Sequence, residues 1–352
     1  MTDMVNGEML QLARESRGFT QGRLSRLASI SQSKISKYER DYAPISDSDL
    51  TVIARVLDYP KSFFHQSVQP RGFGVSGVYH RRRQSIPMLT LKKIQAEFNI
   101  RTMEIEKLLE GAEVKAENEF HRLDVEDFDD NAELIAELVR AQWNLPLGPI
   151  KSVIGVIESA GGIVLKCDMG TRKLDAQSRW ISGLPPLFFA NKDIPTDRLR
   201  FTLAHEMGHV IMHRIPTTNI EDEANQFASS FLMPRREIIP DLIPFSLERA
   251  VRLKLKWKVS IAALIMRAFD LGILTKSQKR RFFTLMGAAG YRTVEPVTLP
   301  DDEEPATLRR LIEVYHKEHD YTTAELCNML AVNEADFRML YLQAPPLRIH
   351  KF

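Results

Sequence analysis

The sequence predicts a multidomain chain: an all-α domain first, an α+β domain after it, and a small helical module at the C-terminus. Three observations support that division. Residues 7 to 64 show five short helical patterns with almost no loop between them. Between residues 162 and 191 lie three segments rich in β-branched and aromatic residues, directly ahead of two strongly patterned helices. A charged stretch, Asp301-Asp302-Glu303-Glu304-Pro305, then sets off a last helical region and reads as a hinge. The expected boundaries are 1–70, a basic linker and bridging helix over 71–120, then 121–300 and 301–352, and a chain of 352 residues has room for them with a substantial core.

The N-terminal segment is most informative from Phe19 to Arg40. Thr20 is placed to cap one short helix, Ser29-Ile30 to form a tight turn, and Ser31 to cap the next helix. This is helix-turn-helix grammar, in which the second helix enters the major groove with its N-terminal residues at base edges. The segment resembles the XRE (lambda-repressor-like) class, continued by Ile53 to Pro60 and by Phe63-Phe64. The resemblance implies DNA as a partner, with Gln21 on a phosphate, Gln32, Ser33, Lys34 and Ser36 facing the groove, and Lys37 near the backbone. Two positions depart from the class. Ser29 stands where a glycine is usual, which costs strain if the residue turns left-handed, and Ser25 replaces a small alanine. Residues 1–70 hold nine Lys/Arg against eight Asp/Glu, so phosphate neutralisation by a monomer should be modest. A helical bundle that binds protein is the other reading of this composition.

Residues 71 to 93 contain Arg71, Arg81, Arg82, Arg83, Lys92 and Lys93 and no acid. The run can extend a backbone contact to DNA or stand as a solvated linker, and Gly72, Gly74 and Gly77 favour a flexible joint. Residues 91 to 121 read as a long amphipathic helix through Leu91, Ile94, Phe98, Ile105, Leu108 and Leu109. An acidic patch from Asp124 to Asp130 marks the next boundary. Strands are then expected at Gly162–Cys167, Ser178–Gly183 and Pro186–Asn191, each bounded by Gly, Pro or Asn.

The chemistry concentrates in His205-Glu206-Met207-Gly208-His209. On a helix, residues four apart share a face, so both imidazoles can reach one metal ion while Glu206 holds a water beside it. The pattern alone would arise by chance in about one chain in a hundred, so it needs a third ligand. A second helix supplies candidates: Ala224, Phe227, Ala228, Phe231 and Leu232 form its apolar stripe and Pro234 ends it. Glu221 and Asn225 border that stripe one turn apart. Glu221 is the expected third ligand, and Asn225 is expected to hydrogen-bond a ligating imidazole. Glu223 ranks second, because it points roughly 160° away from Asn225 around the helix.

These two helices resemble the ImmA/IrrE family of metallo-endopeptidases, whose signature joins His-Glu-x-x-His to Glu-x-x-Ala-Asn-x-Phe-Ala and Leu-Met-Pro. The match includes Arg198 to Ala204 ahead of the first histidine, and Gly290 to Pro296 also looks like a family element. The resemblance covers roughly residues 120 to 300. It implies a zincin-like α+β metallopeptidase domain that binds Zn2+, with His205, His209 and Glu221 as ligands and Glu206 as general base. His213 reads as a core or cap histidine. Tyr291, Arg292 and His213 are the candidates for a donor to the oxyanion.

The tail, residues 306 to 342, reads as two or three helices, with a capping box from Thr322 to Glu325 and a faint likeness to another helix-turn-helix. Its exposed residues are acidic or neutral, which suits a packing or oligomerisation module. A composition that is 44% hydrophobic with no apolar run near 18 residues leaves no membrane partner. The start of the chain has no apolar signal core, and Cys167 and Cys327 give no disulfide framework, so a cytoplasmic protein is expected. The function expected is that of a zinc endopeptidase joined to a DNA-binding domain, a regulator of transcription, stress or mobile elements that cleaves a regulatory protein such as a repressor. Operator DNA, that protein substrate and a second copy of the chain are the expected partners. The alternative is a transcriptional regulator or antitoxin-like protein whose peptidase-like domain senses or binds without turnover.

Overall fold

A computed structural model describes residues 5–66, 86–214 and 219–342. The arginines at 71, 81, 82 and 83 and the linker glycines lie outside the described residues. The chain divides into two compact units, whose described parts are 5–66, 86–114 and 306–342 for the first and 115–305, without 215–218, for the second.

The first unit is entirely helical. It opens with α1 (Gly7–Ser16), α2 (Gln21–Ala28), α3 (Gln32–Glu39) and α4 (Asp47–Leu57), followed by a 3-10 turn at Lys61–His65. Thr20 Oγ1 accepts from the Arg23 amide and Ser31 Oγ from the Lys34 amide, which starts α2 and α3 where the sequence places them. Between them Ser29 takes the left-handed conformation at φ 57°. The Ser25 hydroxyl donates to the Ile30 carbonyl at 2.6 Å and so braces the turn from inside. Leu10, Ala13, Leu24, Ile35, Ile53, Leu57, Phe63 and Phe64 form the core of these helices, and Ala96 and Ile100 join it from α5 (Met88–Gly111).

α5 stops at Gly111 rather than near residue 121. The cause lies in the tail. The last carbonyls of a helix have no partner within it, and Tyr315 supplies one by donating its hydroxyl to the Leu108 carbonyl at 2.9 Å. The ring sits so close that a Cβ at Gly111 would lie 2.5 Å from the Tyr315 oxygen. Tyr315 belongs to α14 (Thr307–Glu318), and α15 (Thr323–Leu330), α16 (Glu334–Phe337) and a π turn (Arg338–Leu342) follow it; α6 to α13 belong to the second unit. The Thr322–Glu325 capping box forms. Ala331 turns left-handed at φ 55° between α15 and α16, as Ser29 does between α2 and α3, but Asn333 makes no side-chain cap on α16. The segment packs within the unit: Arg17 pairs with Asp336 at 2.9 Å and Asn333 donates to Asp58.

The second unit is α+β. Helices α6 (Ala132–Gln142) and α7 (Val153–Ser159) precede β1 (Ile163–Cys167), β2 (Ala176–Arg179) and β3 (Leu187–Asn191). The sheet order is β1-β3-β2, with β1 parallel and β2 antiparallel to β3, in a register that pairs Val164 and Ser178 with Phe188. The second strand therefore lies earlier than Ser178–Gly183. Ile181–Leu184 is a tight turn instead, closed by the Leu184 amide on the Ile181 carbonyl at 3.0 Å, and its third residue, Gly183, has φ 82°. After the sheet come α8 (Thr196–Met212), α9 (Ile220–Leu232), α10 (Arg235–Leu242), α11 (Leu247–Trp257), α12 (Ile261–Asp270) and α13 (Lys276–Ala288). Their apolar faces share one core with β1–β3 through residues such as Val164, Phe188, Leu203, Phe227, Phe231 and Trp257.

Two acids, one buried and one half-buried, organise this unit. Glu303 is not part of a solvated hinge: it is 0% exposed and pairs with Arg200 of α8, also 0% exposed. Its carboxylate accepts from the Val153 and Ile154 amides at 2.9 Å, so it also caps α7. Glu295, in the Gly290–Pro296 element, accepts from the Ile261 amide at 3.0 Å and from Lys254 at 2.7 Å, tying the start of α12 to α11. Removing one partner of a buried pair leaves an uncompensated charge. Glu303→Ala is thus expected to destabilise the second unit by about 3–5 kcal/mol in urea unfolding; an unchanged midpoint would show that Arg200 is satisfied without it.

Candidate metal centre

Helix α8 presents His205, Glu206 and His209 on its buried side, at 7%, 3% and 5% exposure. Gly208, inside the same motif, lets α9 approach closely: a Cβ there would lie 3.1–3.3 Å from the Phe227 ring. That approach brings Glu221 over the two imidazoles. His205 Nε2 and His209 Nε2 are 3.0 Å apart, and each is 3.6 Å from an oxygen of Glu221. Four ligands held tetrahedrally at about 2.0–2.1 Å have edges of about 3.3 Å, so these donors already stand at the spacing a zinc ion requires. Two imidazoles and one carboxylate also match a catalytic donor set, which keeps a fourth position open. His205, His209 and Glu221 are the group that could hold a metal ion among the described residues.

Each ring is fixed from behind. His205 Nδ1 meets Asn225 Oδ1 at 3.0 Å, the contact expected of Asn225. His209 Nδ1 meets His213 Nδ1 at 2.9 Å, and His213 Nε2 meets Glu223 Oε2 at 2.9 Å. Both nitrogens of His213 are therefore engaged, which takes it out of the candidates for an oxyanion donor. Glu223 lies on His213 rather than in the ligand trio. Burial, with smaller contributions from the neighbouring histidines, holds His209 well below the usual histidine range. Burial and Arg122 push His213 down to about 4. Both rings are thus neutral at pH 7, the state in which an imidazole offers a lone pair.

Glu206 is anchored by the edge strand. The Ser178 amide and hydroxyl donate to Glu206 Oε2 at 2.8 and 2.7 Å. Sequence reading did not single out Ser178, because its partnership depends on the register of β2 against β3 and on the packing of that edge over α8. Arg292 donates to the Phe283 carbonyl at 3.1 Å, and Tyr291 packs, partly buried, on the apolar core.

On α3, Gln32, Ser33, Lys34 and Lys37 are exposed and Ser36 is half-buried. Lys34 pairs with Asp49 at 2.6 Å, and that contact raises the Lys34 pKa above its ordinary value. Gln21 donates to Glu39 at 2.8 Å, and the same carboxylate binds Arg14 through both oxygens. Two stretches of the chain match known protein families. Residues 10–64 match the helix-turn-helix family model, and residues 157–269 match the model of the IrrE N-terminal-like domain, a peptidase family. The chain joins a helix-turn-helix domain to an IrrE-type domain. No curated protein matches the chain. The IrrE-type match spans β1 to α12 and includes every residue of the metal trio.

The closeness of α8 and α9 sets the reach of Glu221. Gly208→Val is expected to part the helices and cost about 1–3 kcal/mol through overpacking, read as a lower thermal midpoint. A midpoint at or above that of the parent would mean that Phe227 yields freely.

Proposed function

We propose that this protein is a zinc-dependent endopeptidase joined to a sequence-specific DNA-binding domain, a cytoplasmic regulator that acts by cleaving a regulatory protein such as a repressor. The observation that carries this reading is the convergence of His205, His209 and Glu221 with Glu206 beside them on α8. The residues present fit the metal: two buried imidazoles and a carboxylate, each imidazole hydrogen-bonded on its far nitrogen. Zinc bound there would supply Lewis acidity, polarising a carbonyl and lowering the pKa of water toward neutrality.

The protein groups do the rest. Glu206, its Oε2 fixed by Ser178, accepts the proton of the attacking water at its carboxylate and delivers it to the leaving amine. β2 is an edge strand paired with β3 on one side only, and Ser178 places it against the catalytic carboxylate. An edge so placed suits an extended segment of a protein substrate held by main-chain pairing. The helix-turn-helix domain supports operator DNA as a partner, with the exposed N-terminal half of α3 toward the bases.

Metal analysis of the purified chain tests the reading. About one zinc per chain is expected for the parent and for Glu206→Gln, and a loss of zinc for Glu221→Gln. In cells, labelling of protein N-termini should reveal a new terminus with the parent that is missing with Glu206→Gln. A metal-loaded parent that yields no such terminus would instead favour a domain that senses or binds without turnover. For the DNA side, Gln32→Ala is expected to relax base preference at one position in a binding-site selection, at about 1–3 kcal/mol, while leaving zinc content unchanged. Unaltered preference would remove Gln32 from base reading.

A further inference from the structure

Two carboxylates on the first turn of α9 meet histidines of α8 and its cap, but different ones, and only Glu221 belongs to the candidate trio. Glu221 is 3.6 Å from both ligating nitrogens, whereas Glu223 is 2.9 Å from the outer nitrogen of His213. His213 ends α8, with its amide on the His209 carbonyl, and its other ring nitrogen is 2.9 Å from His209 Nδ1. Glu223, His213 and His209 are all buried, at 9%, 5% and 5% exposure. A carboxylate, an imidazole and a ligating imidazole therefore form one continuous chain.

We propose that Glu223 and His213 are positioning residues that order the protons along this chain, so that His209 presents the lone pair of Nε2 to the metal. The proposal rests on the metal-site reading above. Its argument is proton bookkeeping. A neutral imidazole carries one N–H. If the Nε2 lone pair of His209 faces the metal, the proton of that ring sits on Nδ1 and is donated to His213 Nδ1. The proton of His213 must then sit on Nε2, where it is donated to the Glu223 carboxylate. Both contacts of the relay then have one donor and one acceptor, and the bare Nε2 atoms of His205 and His209 face each other at 3.0 Å, where an ion would sit.

The opposite order fails at the Glu223 end: His213 Nδ1–H donating to His209 would leave the His213 Nε2 lone pair 2.9 Å from a carboxylate oxygen. It would also put the His209 proton on Nε2, the atom that must be bare to ligate. The acceptor oxygen of Glu223 on His213 Nε2 thus selects the arrangement that a metal needs. The other ligand is served differently: His205 has a neutral amide, Asn225, as its acceptor. The two ligating histidines are therefore unequal in their partners.

The test uses the full-length chain, with zinc affinity measured by competition against a chromophoric chelator. Glu223→Gln and His213→Phe are each expected to keep one zinc per chain and to weaken its binding about 10–100-fold. The double variant should be no weaker than His213→Phe alone, because Glu223 acts only through His213. In the metal-free, 15N-labelled chain the side-chain shifts of His209 should report the Nδ1–H tautomer, and His213→Phe should convert it to a mixture. A role limited to stability would not move that signature. Affinities equal to the parent, losses that multiply in the double variant, or an unmoved tautomer would overturn the relay while leaving the metal centre standing. Loss of stoichiometric zinc in Glu223→Gln with retention in Glu221→Gln would overturn it by making Glu223 the ligand. A parent that binds no zinc would bring down the relay and the metal-centre reading together.

Discussion

The second unit is organised around one constraint: two imidazoles and the Glu206 carboxylate are buried where α8 meets α9 and β2, and each must find a partner there. A polar group left unpaired away from water costs about as much as a lost hydrogen bond or more. The structure meets that demand with a specific neighbour for each: Asn225 for His205, His213 for His209 and Ser178 for Glu206. Those neighbours come from three different elements, so the site can be complete only when the unit is folded. Gly208 gives α9 room to approach. Arg200, on the same helix as the motif, is tied to Glu303 and through it to the start of α7. The position of the catalytic helix is therefore set at both its ends, by Glu303 on one side and by Arg122, which donates to the Val210 and His213 carbonyls, on the other.

The first unit is built on different physics. Its core is apolar and its helix-turn-helix follows from local caps, with Glu39 at the end of α3 held by Arg14 and Gln21. Part of its basic character is engaged inside the unit: Arg14 on Glu39, Lys34 on Asp49, Arg17 on Asp336 and Lys61 on Asp47. The tail contributes a second copy of the same turn, yet Asp336 and Asn333 engage Arg17 and Asp58.

How much of this was legible in the sequence follows from how local each feature is. Caps, turns and the four-residue spacing of His205 and His209 are decided within one or two helical turns, and the structure forms them where the residues indicate. Glu221 and Asn225 were readable from a helical wheel, because an amphipathic helix has one face to offer its neighbour. Ser178 was not, because strand register depends on a partner elsewhere in the chain and the turn at Gly183 displaces β2 by a few residues. Glu303 was hidden for another reason. Four acids in five residues look solvated, and nothing in the sequence tells that one of them turns inward to meet a buried arginine. The end of α5 at Gly111 depends in the same way on Tyr315, two hundred residues further on.

The central claim is that His205, His209 and Glu221 make an open metal centre. X-ray absorption at the zinc edge of the loaded, full-length chain tests it most directly. The account predicts a first shell of light atoms alone at about 2.0–2.1 Å, with the outer-shell scattering of two imidazoles and one further light ligand in the fourth position. A sulfur scatterer at about 2.3 Å would place the ion at Cys167 or Cys327 instead and would contradict it.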